Sequence, residues 1–178
     1  MAIKIGITGP VGSIKSEALQ KIIDMLQKDG MNVQGVLVSK VSKNGKITGY
    51  VIEDISTRKK AQFCDESFVS RVKIDKLGVD TRLLEEILIS SLQKAVESAD
   101  VIIIDEVGKL ENTTKNVHSE IEDALKCGKP LIVTLHKRSR NPVLQEIKSL
   151  EGVRVFDITP INKNILPFKV MHVLKGEE

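Results

Sequence analysis

The sequence predicts a three-layer α/β fold, in which a mainly parallel β-sheet is flanked by helices on both faces. Apolar runs typical of buried strands alternate with amphipathic helical segments, an order that favours parallel strands joined by crossover helices. The pair Asn44-Gly45 tolerates the positive φ angles of a tight turn and adds one β-hairpin. The 178 residues contain no visible linker, so a single domain is expected over residues 1–178, with the hairpin insertion at about residues 36–64.

The composition is that of a folded protein and argues against several functional classes. Hydrophobic residues make up 41% and charged residues 29% of the chain, and the net charge is only +3. Without Trp and with one Tyr, the chain has few rings for stacking bases, so a nucleic-acid partner is not expected. No apolar run reaches the roughly 18 residues of a membrane span, which predicts a cytoplasmic protein with no membrane partner. Composition does not fix the oligomeric state, and a monomer is the expectation.

The first half of the chain predicts a strand, a helix and the hairpin. Residues 2–8 form an apolar run, and a helix from about Lys15 to Lys28 carries apolar residues at i, i+3, i+4 and i+7 spacing. Residues 32–42 and 46–55 are the predicted arms of the hairpin. A further short strand is predicted near residues 59–64.

The second half continues the alternation of helices and strands. Asp80 is the predicted N-cap of a long helix, and the apolar run that follows it ends in Asp105-Glu106 and fits a strand covered on both faces. Thr113 or Thr114 is predicted to begin the next helix. The remaining predicted elements are a strand at 130–136, a helix that Asn141-Pro142 begins, a strand at 153–158 and a helix at about 167–175.

The loop between the first strand and the first helix resembles a phosphate-binding loop. Residues 9–17 read GPVGSIKSE, which matches G-x-x-x-x-G-K-[ST] except that Ile14 stands at the second glycine. In such a loop Lys15 reaches the β- and γ-phosphates, and the Ser16 hydroxyl binds Mg²⁺. The predicted nucleotide-binding residues here are Gly9, Pro10, Val11, Gly12, Ser13, Ile14, Lys15, Ser16 and Glu17.

Two side chains of this loop predict weakened rather than abolished nucleotide binding. A β-branched residue such as Ile14 resists the positive φ that glycine adopts, and strain of this kind costs about 1–3 kcal/mol. The carboxylate of Glu17 would lie near a phosphate and repel it.

Asp105 and Glu106 come directly after four aliphatic residues and form a candidate catalytic pair. Asp105 is the expected support of a Mg²⁺ ion, and Glu106 is the expected base that orients and deprotonates a water molecule. The same pair could instead be a polar strand exit. Arg138 is the candidate cation for stabilising the transition state, with Arg140 and Lys109 as alternatives.

Residues 105–111, DEVGKLE, resemble the motif D-E-[IV]-G-K-[ML]-E of the small thermophile-type, or cancer-related, nucleoside-triphosphatases. The resemblance extends over nearly the whole chain and includes His136, Arg138, Ser139 and Pro142 of a later motif. It implies a P-loop NTPase fold and Mg²⁺-dependent hydrolysis of ATP, GTP and other nucleoside triphosphates. It also implies catalytic roles for Lys15 and Glu106 and a nucleotide contact for Asn162, which stands in the closing Asn-Arg motif as Asn162-Lys163.

The departures from this family concentrate at the expected nucleotide pocket. Besides Ile14, the chain has Lys40-Val41-Ser42 where the family has Glu-Val-Arg, and it has Asp75 at a usual glycine. These changes predict a weakened enzyme or an altered ligand preference. Two alternatives remain open: a nucleotide-binding sensor or scaffold that does not hydrolyse, and a small nucleoside or polynucleotide kinase.

Overall fold

A computed structural model describes residues 2–10, 14–136 and 142–177, except for the side chains of residues 143 and 144. Within these residues, nine strands form one sheet and six helices cover it. The strands are Lys4–Gly9 (β1), Val33–Lys43 (β2), Lys46–Asp54 (β3), Lys60–Asp65 (β4), Lys73–Ile74 (β5), Leu77–Val79 (β6), Val101–Ile104 (β7), Leu131–His136 (β8) and Val153–Asp157 (β9). The helices are Ile14–Lys28 (α1), Thr81–Ser98 (α2), Val107–Leu110 (α3), Lys115–Lys126 (α4), Pro142–Ser149 (α5) and Leu166–Leu174 (α6).

The sheet has two parts with different strand directions. Strands β2, β7, β8, β1 and β9 lie side by side in that order and pair in parallel; we call them the parallel half. Strands β3, β4, β6 and β5 continue the sheet beyond β2 with antiparallel pairing, and we call them the antiparallel half. One continuous sheet therefore contains both halves, with β2 at the junction.

The apolar core lies on both faces of the sheet, as a three-layer fold requires. Along β7, Ile102 and Ile104 belong to a cluster with residues of α2 and α4. The alternate residues Val101 and Ile103 belong to a second cluster with residues of α1 and α6. Because successive side chains of a strand point to opposite faces, one short apolar run supplies both cores.

The caps and turns predicted from the sequence are confirmed where the structure describes them. The Asp80 carboxylate accepts a hydrogen bond of 3.1 Å from the backbone N–H of Leu83, as an N-cap does. Thr114 caps α4 in the same way, through the N–H of Val117. Asn44 and Gly45 have φ angles of 52° and 77° in the β2–β3 turn. Asn141 lies outside the described residues.

The antiparallel half is larger than predicted. It continues beyond the expected residues 36–64 to Val79, because a second hairpin joins β5 to β6. Its two turn residues, Asp75 and Lys76, have φ angles of 50° and 70° without being glycine or asparagine. Asp is a common turn residue but Lys is not, so Asp75-Lys76 is a weaker turn signal than Asn44-Gly45. The one-turn helix α3 was also missed.

In the part of the chain that the structure describes, no helix has the length and apolar character needed to cross a membrane.

Candidate active site

The candidate site lies where the parallel strands end. The carboxyl ends of β1, β8 and β7 lie at the same edge of the sheet, because these strands pair in parallel. The predicted phosphate loop follows β1, and Asp105-Glu106 follow β7. Ligands of open α/β sheets bind beyond this edge.

Lys15 occupies the first turn of α1 and is almost entirely buried, with 4% of its surface exposed. Its amine donates a hydrogen bond of 3.1 Å to the backbone carbonyl of Leu135, near the end of β8. A Cβ at Gly9 would lie 3.3 Å from Lys15 Cγ and 2.7 Å from Ile158 Cγ2. Glycine at position 9 thus gives the lysine chain the space to run between β1 and β8.

The charge of Lys15 is balanced by the acidic pair. Burial lowers the pKa of the Lys15 amine, and the negative charges of Glu106 and Asp105 act against that effect. A charged lysine amine in this position can donate charge-assisted hydrogen bonds to a phosphate group.

Asp105 is buried, with 3% of its surface exposed, and both of its carboxylate oxygens accept hydrogen bonds. One oxygen accepts from the Thr134 hydroxyl of β8, and the other accepts from the backbone N–H of Val38 at 3.0 Å. Burial raises the pKa of Asp105 to about 6, and the nearby charge of Glu106 adds to the increase. The two hydrogen bonds hold the Asp105 carboxylate in one orientation, and the raised pKa shows that its negative charge is only partly compensated. A cation would supply the missing charge.

Glu106 has a left-handed backbone conformation, with φ 54° and ψ 43°. Its backbone N–H donates a hydrogen bond of 2.9 Å to the Thr134 hydroxyl, which in turn donates to Asp105. Thr134 therefore fixes both members of the acidic pair. Thr134 was not predicted from the sequence, although it is a polar residue inside the apolar strand LIVTLH.

A cavity of about 360 Å³ opens beside the acidic pair. This size is within the range of small-molecule sites. It lies between the start of α1 and the hairpin strands β2 and β3, and it extends to β4. Its lining residues are Ser16, Gln20, Leu37, Val38, Ser39, Lys40, Tyr50, Glu53, Lys60, Asp105 and Glu106.

Ser16 and Asp105 line the same cavity and offer a hydroxyl and a carboxylate oxygen. The described residues contain no cluster of three or more histidine, cysteine or acidic side chains that could hold a metal. Mg²⁺ does not need such a cluster, because it keeps several waters and binds one or two protein oxygens together with substrate phosphates. The two residues fit a Mg²⁺ ion of this kind.

Ile14 does not have the strained, positive-φ conformation that was expected from the sequence. It begins α1, and it is not among the described residues that have a positive φ. Its side chain is half-buried and packs against the apolar cluster of α1 and α6. Glu17 is exposed in the first turn of the same helix.

Asn162 is held within the loop between β9 and α6. Its side-chain oxygen accepts a hydrogen bond of 2.8 Å from the N–H of Thr159, and its amide donates one of 2.8 Å to the carbonyl of Asp157. The structure thus gives Asn162 a role in shaping this loop. Predicted site residues Val11, Gly12, Ser13 and Arg138, together with the alternative Arg140, lie outside the described residues.

Comparisons with known proteins agree with this fold. Residues 4–171 match the family model described as NTPase. The nucleoside-triphosphatase THEP1 of Thermoplasma volcanium is 89% identical over 178 residues, which are the whole of both chains. The THEP1 protein of Thermoplasma acidophilum is 85% identical over 178 residues, covering 100% of this chain and 98% of the relative.

Two solved structures have the same fold. The crystal structure of THEP1 from Aquifex aeolicus superposes with a TM-score of 0.84 at 26% identity, covering 97% of this chain and 99% of that one. A human cancer-related nucleoside triphosphatase superposes with a TM-score of 0.82 at 21% identity, covering 99% of this chain and 100% of that one. Together with the family match, they show that the chain belongs to the NTPase family and has its P-loop fold.

Proposed function

We propose that this chain, a nucleoside-triphosphatase by family, hydrolyses ATP, GTP and related triphosphates to the diphosphate and phosphate in the cytoplasm, with Mg²⁺ as cofactor. One observation carries the proposal: Asp105 and Glu106 line the same cavity as Ser16, and the buried Lys15 lies close enough to interact with both acids. The relatives named THEP1 support the reaction type.

In this reaction a water oxygen attacks the γ-phosphorus while the bond to the β–γ bridging oxygen breaks, so the diphosphate is the leaving group. The Glu106 carboxylate, at the cavity wall, orients the water and takes its proton. Hydrolysis needs no further acceptor, because the proton on Glu106 returns to solvent after phosphate leaves.

Lys15 supplies positive charge to the phosphate groups. Its amine donates to a neutral acceptor, the Leu135 carbonyl. A charged phosphate oxygen is a stronger acceptor than a carbonyl, so the amine is expected to turn toward the β- and γ-phosphates when a nucleotide binds. Ser16 and Asp105 would hold Mg²⁺, which would supply further positive charge to the phosphate groups when bound.

The test is phosphate release from ATP and GTP with and without Mg²⁺, for wild type and Glu106→Ala. Loss of the base is expected to reduce kcat by about 100-fold or more while leaving nucleotide affinity nearly unchanged. Glu97→Ala, an exposed glutamate of α2, is the matched control and should behave as wild type. Equal release by wild type and Glu106→Ala would rule out the proposal.

A small kinase, the weaker of the two alternatives, has one observation in its favour. Beyond the acidic pair the cavity continues along the hairpin to Tyr50, Glu53 and Lys60, which leaves room for a small hydroxyl compound. Release of phosphate without any added acceptor separates hydrolysis from transfer. The scaffold alternative loses its argument from backbone strain, since Ile14 begins a helix.

A further inference from the structure

We propose that Tyr50 and Asp75 are positioning residues that orient Glu106 by holding Lys109. The inference rests on the proposed function, in which Glu106 is the base. It assigns to the antiparallel half a part in catalysis, although none of its residues belongs to the phosphate loop or the acidic pair.

Lys109 is held by three contacts at one amine. Its Nζ donates hydrogen bonds of 2.9 Å to the Tyr50 hydroxyl and 3.1 Å to Asp75 Oδ2. The same nitrogen lies 4.7 Å from the centroid of the Tyr50 ring. The Tyr50 hydroxyl closes the triangle with a hydrogen bond of 2.8 Å to Asp75 Oδ2. We call these three residues the lysine clamp.

The clamp differs from an ordinary surface ion pair. Exposed pairs contribute little, because water competes and two flexible side chains must be ordered. Here Tyr50 is 1% exposed, so one partner is fixed by the core, and the Lys109 side chain is only 20% exposed. Asp75, whose side chain is 59% exposed, completes the clamp from the β5–β6 turn.

Lys109 is linked to Glu106 through the short helix α3. The backbone N–H groups of Lys109 and Leu110 donate to the Glu106 carbonyl at 3.0 and 3.1 Å, so the turn of helix starts on the proposed base. A helix of four residues does not hold itself in water. Tertiary contacts must therefore help to order it, and these include the burial of Val107 and Leu110 and the contacts of Lys109 with Tyr50 and Asp75.

Glu106 needs such support because its backbone is in the left-handed region. For a residue other than glycine this conformation costs about 1–2 kcal/mol. Thr134 holds the N–H of Glu106 from the side of β8, and the clamp holds α3 from the side of β3. Without the clamp, the carboxylate is expected to sample orientations that do not reach the attacking water.

The turn that carries Asp75 supports the same conclusion. Asp75 and Lys76 both have positive φ angles, which Asp tolerates but which are uncommon and strained for Lys. Strained positions that persist are often found where a side chain must be placed. In this turn the strain places a carboxylate on the lysine of the acidic motif.

The clamp could instead merely fasten the β5–β6 hairpin to the domain. In that case its loss would lower the melting temperature without a selective effect on turnover. Only the positioning role predicts that kcat falls while nucleotide affinity stays the same, and that the acidic motif becomes less ordered.

The experiment compares wild type, Tyr50→Phe, Asp75→Asn and the double variant, with Asp29→Asn as matched control. Tyr50→Phe keeps the ring and removes only the hydroxyl. Asp29→Asn breaks another lysine–carboxylate pair, 3.0 Å from Lys175. We expect kcat to fall about fivefold to tenfold in each clamp variant, with the Kd for Mg²⁺·nucleotide unchanged in Asp75→Asn, because Asp75 does not line the cavity. Amide hydrogen exchange at residues 105–111 should become at least threefold faster, and the double variant should add little, because both residues act through Lys109.

The inference is overturned if kcat stays within twofold of wild type, if the Kd rises instead of kcat falling, or if exchange at residues 105–111 is unchanged. Failure of the proposed function gives a different result, in which wild type releases phosphate no faster than Glu106→Ala. Hydrogen exchange then decides alone whether the clamp orders the acidic motif.

Discussion

The two halves of the sheet obtain their structures in different ways. In the parallel half, β7 and β8 consist of buried apolar residues, and the functional groups follow where these strands end. In the antiparallel half, β3 and β4 are less completely buried than β7 and β8, and the turns that join β2 to β3 and β5 to β6 have positive φ angles. Strands β7 and β8 of the parallel half therefore depend on the burial of apolar side chains. The antiparallel half depends more on its turns and on close backbone contacts such as that of Gly78 with Phe68.

The proposed catalytic residues and the residues proposed to position them lie in different halves. Lys15, Asp105 and Glu106 belong to loops and helix starts of the parallel half, whereas Tyr50 and Asp75 reach the acidic motif from the other half. Single substitutions in each half test this division.

Lys15→Ala tests the charge that the parallel half supplies. Loss of charged hydrogen bonds to two phosphate groups should cost about 3–4 kcal/mol of binding, or more than about 100-fold in affinity. Titration with Mg²⁺·ATP by calorimetry measures it, with Lys28→Ala at the far end of α1 as control. An affinity within threefold of wild type would contradict the assignment of Lys15.

Gly78→Ala tests close contact in the antiparallel half. A Cβ at this position would lie 2.0 Å from the carbonyl oxygen of Phe68, so the backbone must shift. We expect the free energy of unfolding to fall by about 2–3 kcal/mol. Urea unfolding measures it, and Gly128→Ala is the matched control, since a Cβ there meets nothing within 4 Å.

The same experiment asks whether the halves unfold together. The chain has one Tyr, Tyr50, and no Trp, so intrinsic fluorescence reports on the antiparallel half. Because β2 joins both halves in one sheet, the fluorescence and circular dichroism transitions should coincide. Separate transitions would show that the halves are independent.

Asp105→Asn tests the electrostatic cost of the site. Burial raises the pKa of Asp105 from 3.8 in an unfolded reference to about 6, so the folded protein binds this proton more tightly than the unfolded chain. Stability therefore falls as pH rises from about 4 to 6, and above that range the charged carboxylate is destabilising.

In the Asp105→Asn variant, the new side chain is uncharged and similar in size. The substitution should raise the free energy of unfolding by about 1–2 kcal/mol at pH 7 and change it little below pH 4. Thermal melts without Mg²⁺ and nucleotide measure the effect, with Asp123→Asn on α4 as the exposed control. A destabilised variant at pH 7 would show that the hydrogen bonds of the carboxylate matter more than its charge.

Ile14→Gly should have the smallest effect on binding. Ile14 begins a helix and packs against the core, so glycine is expected to cost about 1 kcal/mol of stability and to change nucleotide affinity by less than about threefold. Calorimetric titration and thermal melts measure both quantities. A strong gain in affinity would instead show that the isoleucine side chain obstructs the phosphate site.

The acidic motif, the lysine of the phosphate loop and the strands and helices of the parallel half could be predicted from the sequence. Each of them depends on information that is local in the chain: the period of apolar residues, an N-cap, or polar residues directly after an apolar run. Parallel pairing then places the strand ends together, so Lys15 and Asp105 were expected at one edge of the sheet. The sequence also placed Asn44-Gly45 correctly, because these residue types are typical of that turn.

Other features were decided by the tertiary structure. The turn of the β5–β6 hairpin carries only a weak signal, because Lys76 is uncommon at positive φ, so the hairpin also depends on the contacts that surround it. Thr134 meets Asp105 across 29 residues of chain, and Lys109 meets Tyr50 across 59. Such contacts form only when distant segments are packed side by side, and no local pattern encodes them. Local patterns in the chain therefore indicated the candidate catalytic residues, whereas the residues that hold these candidates in place became visible only when distant segments were packed together.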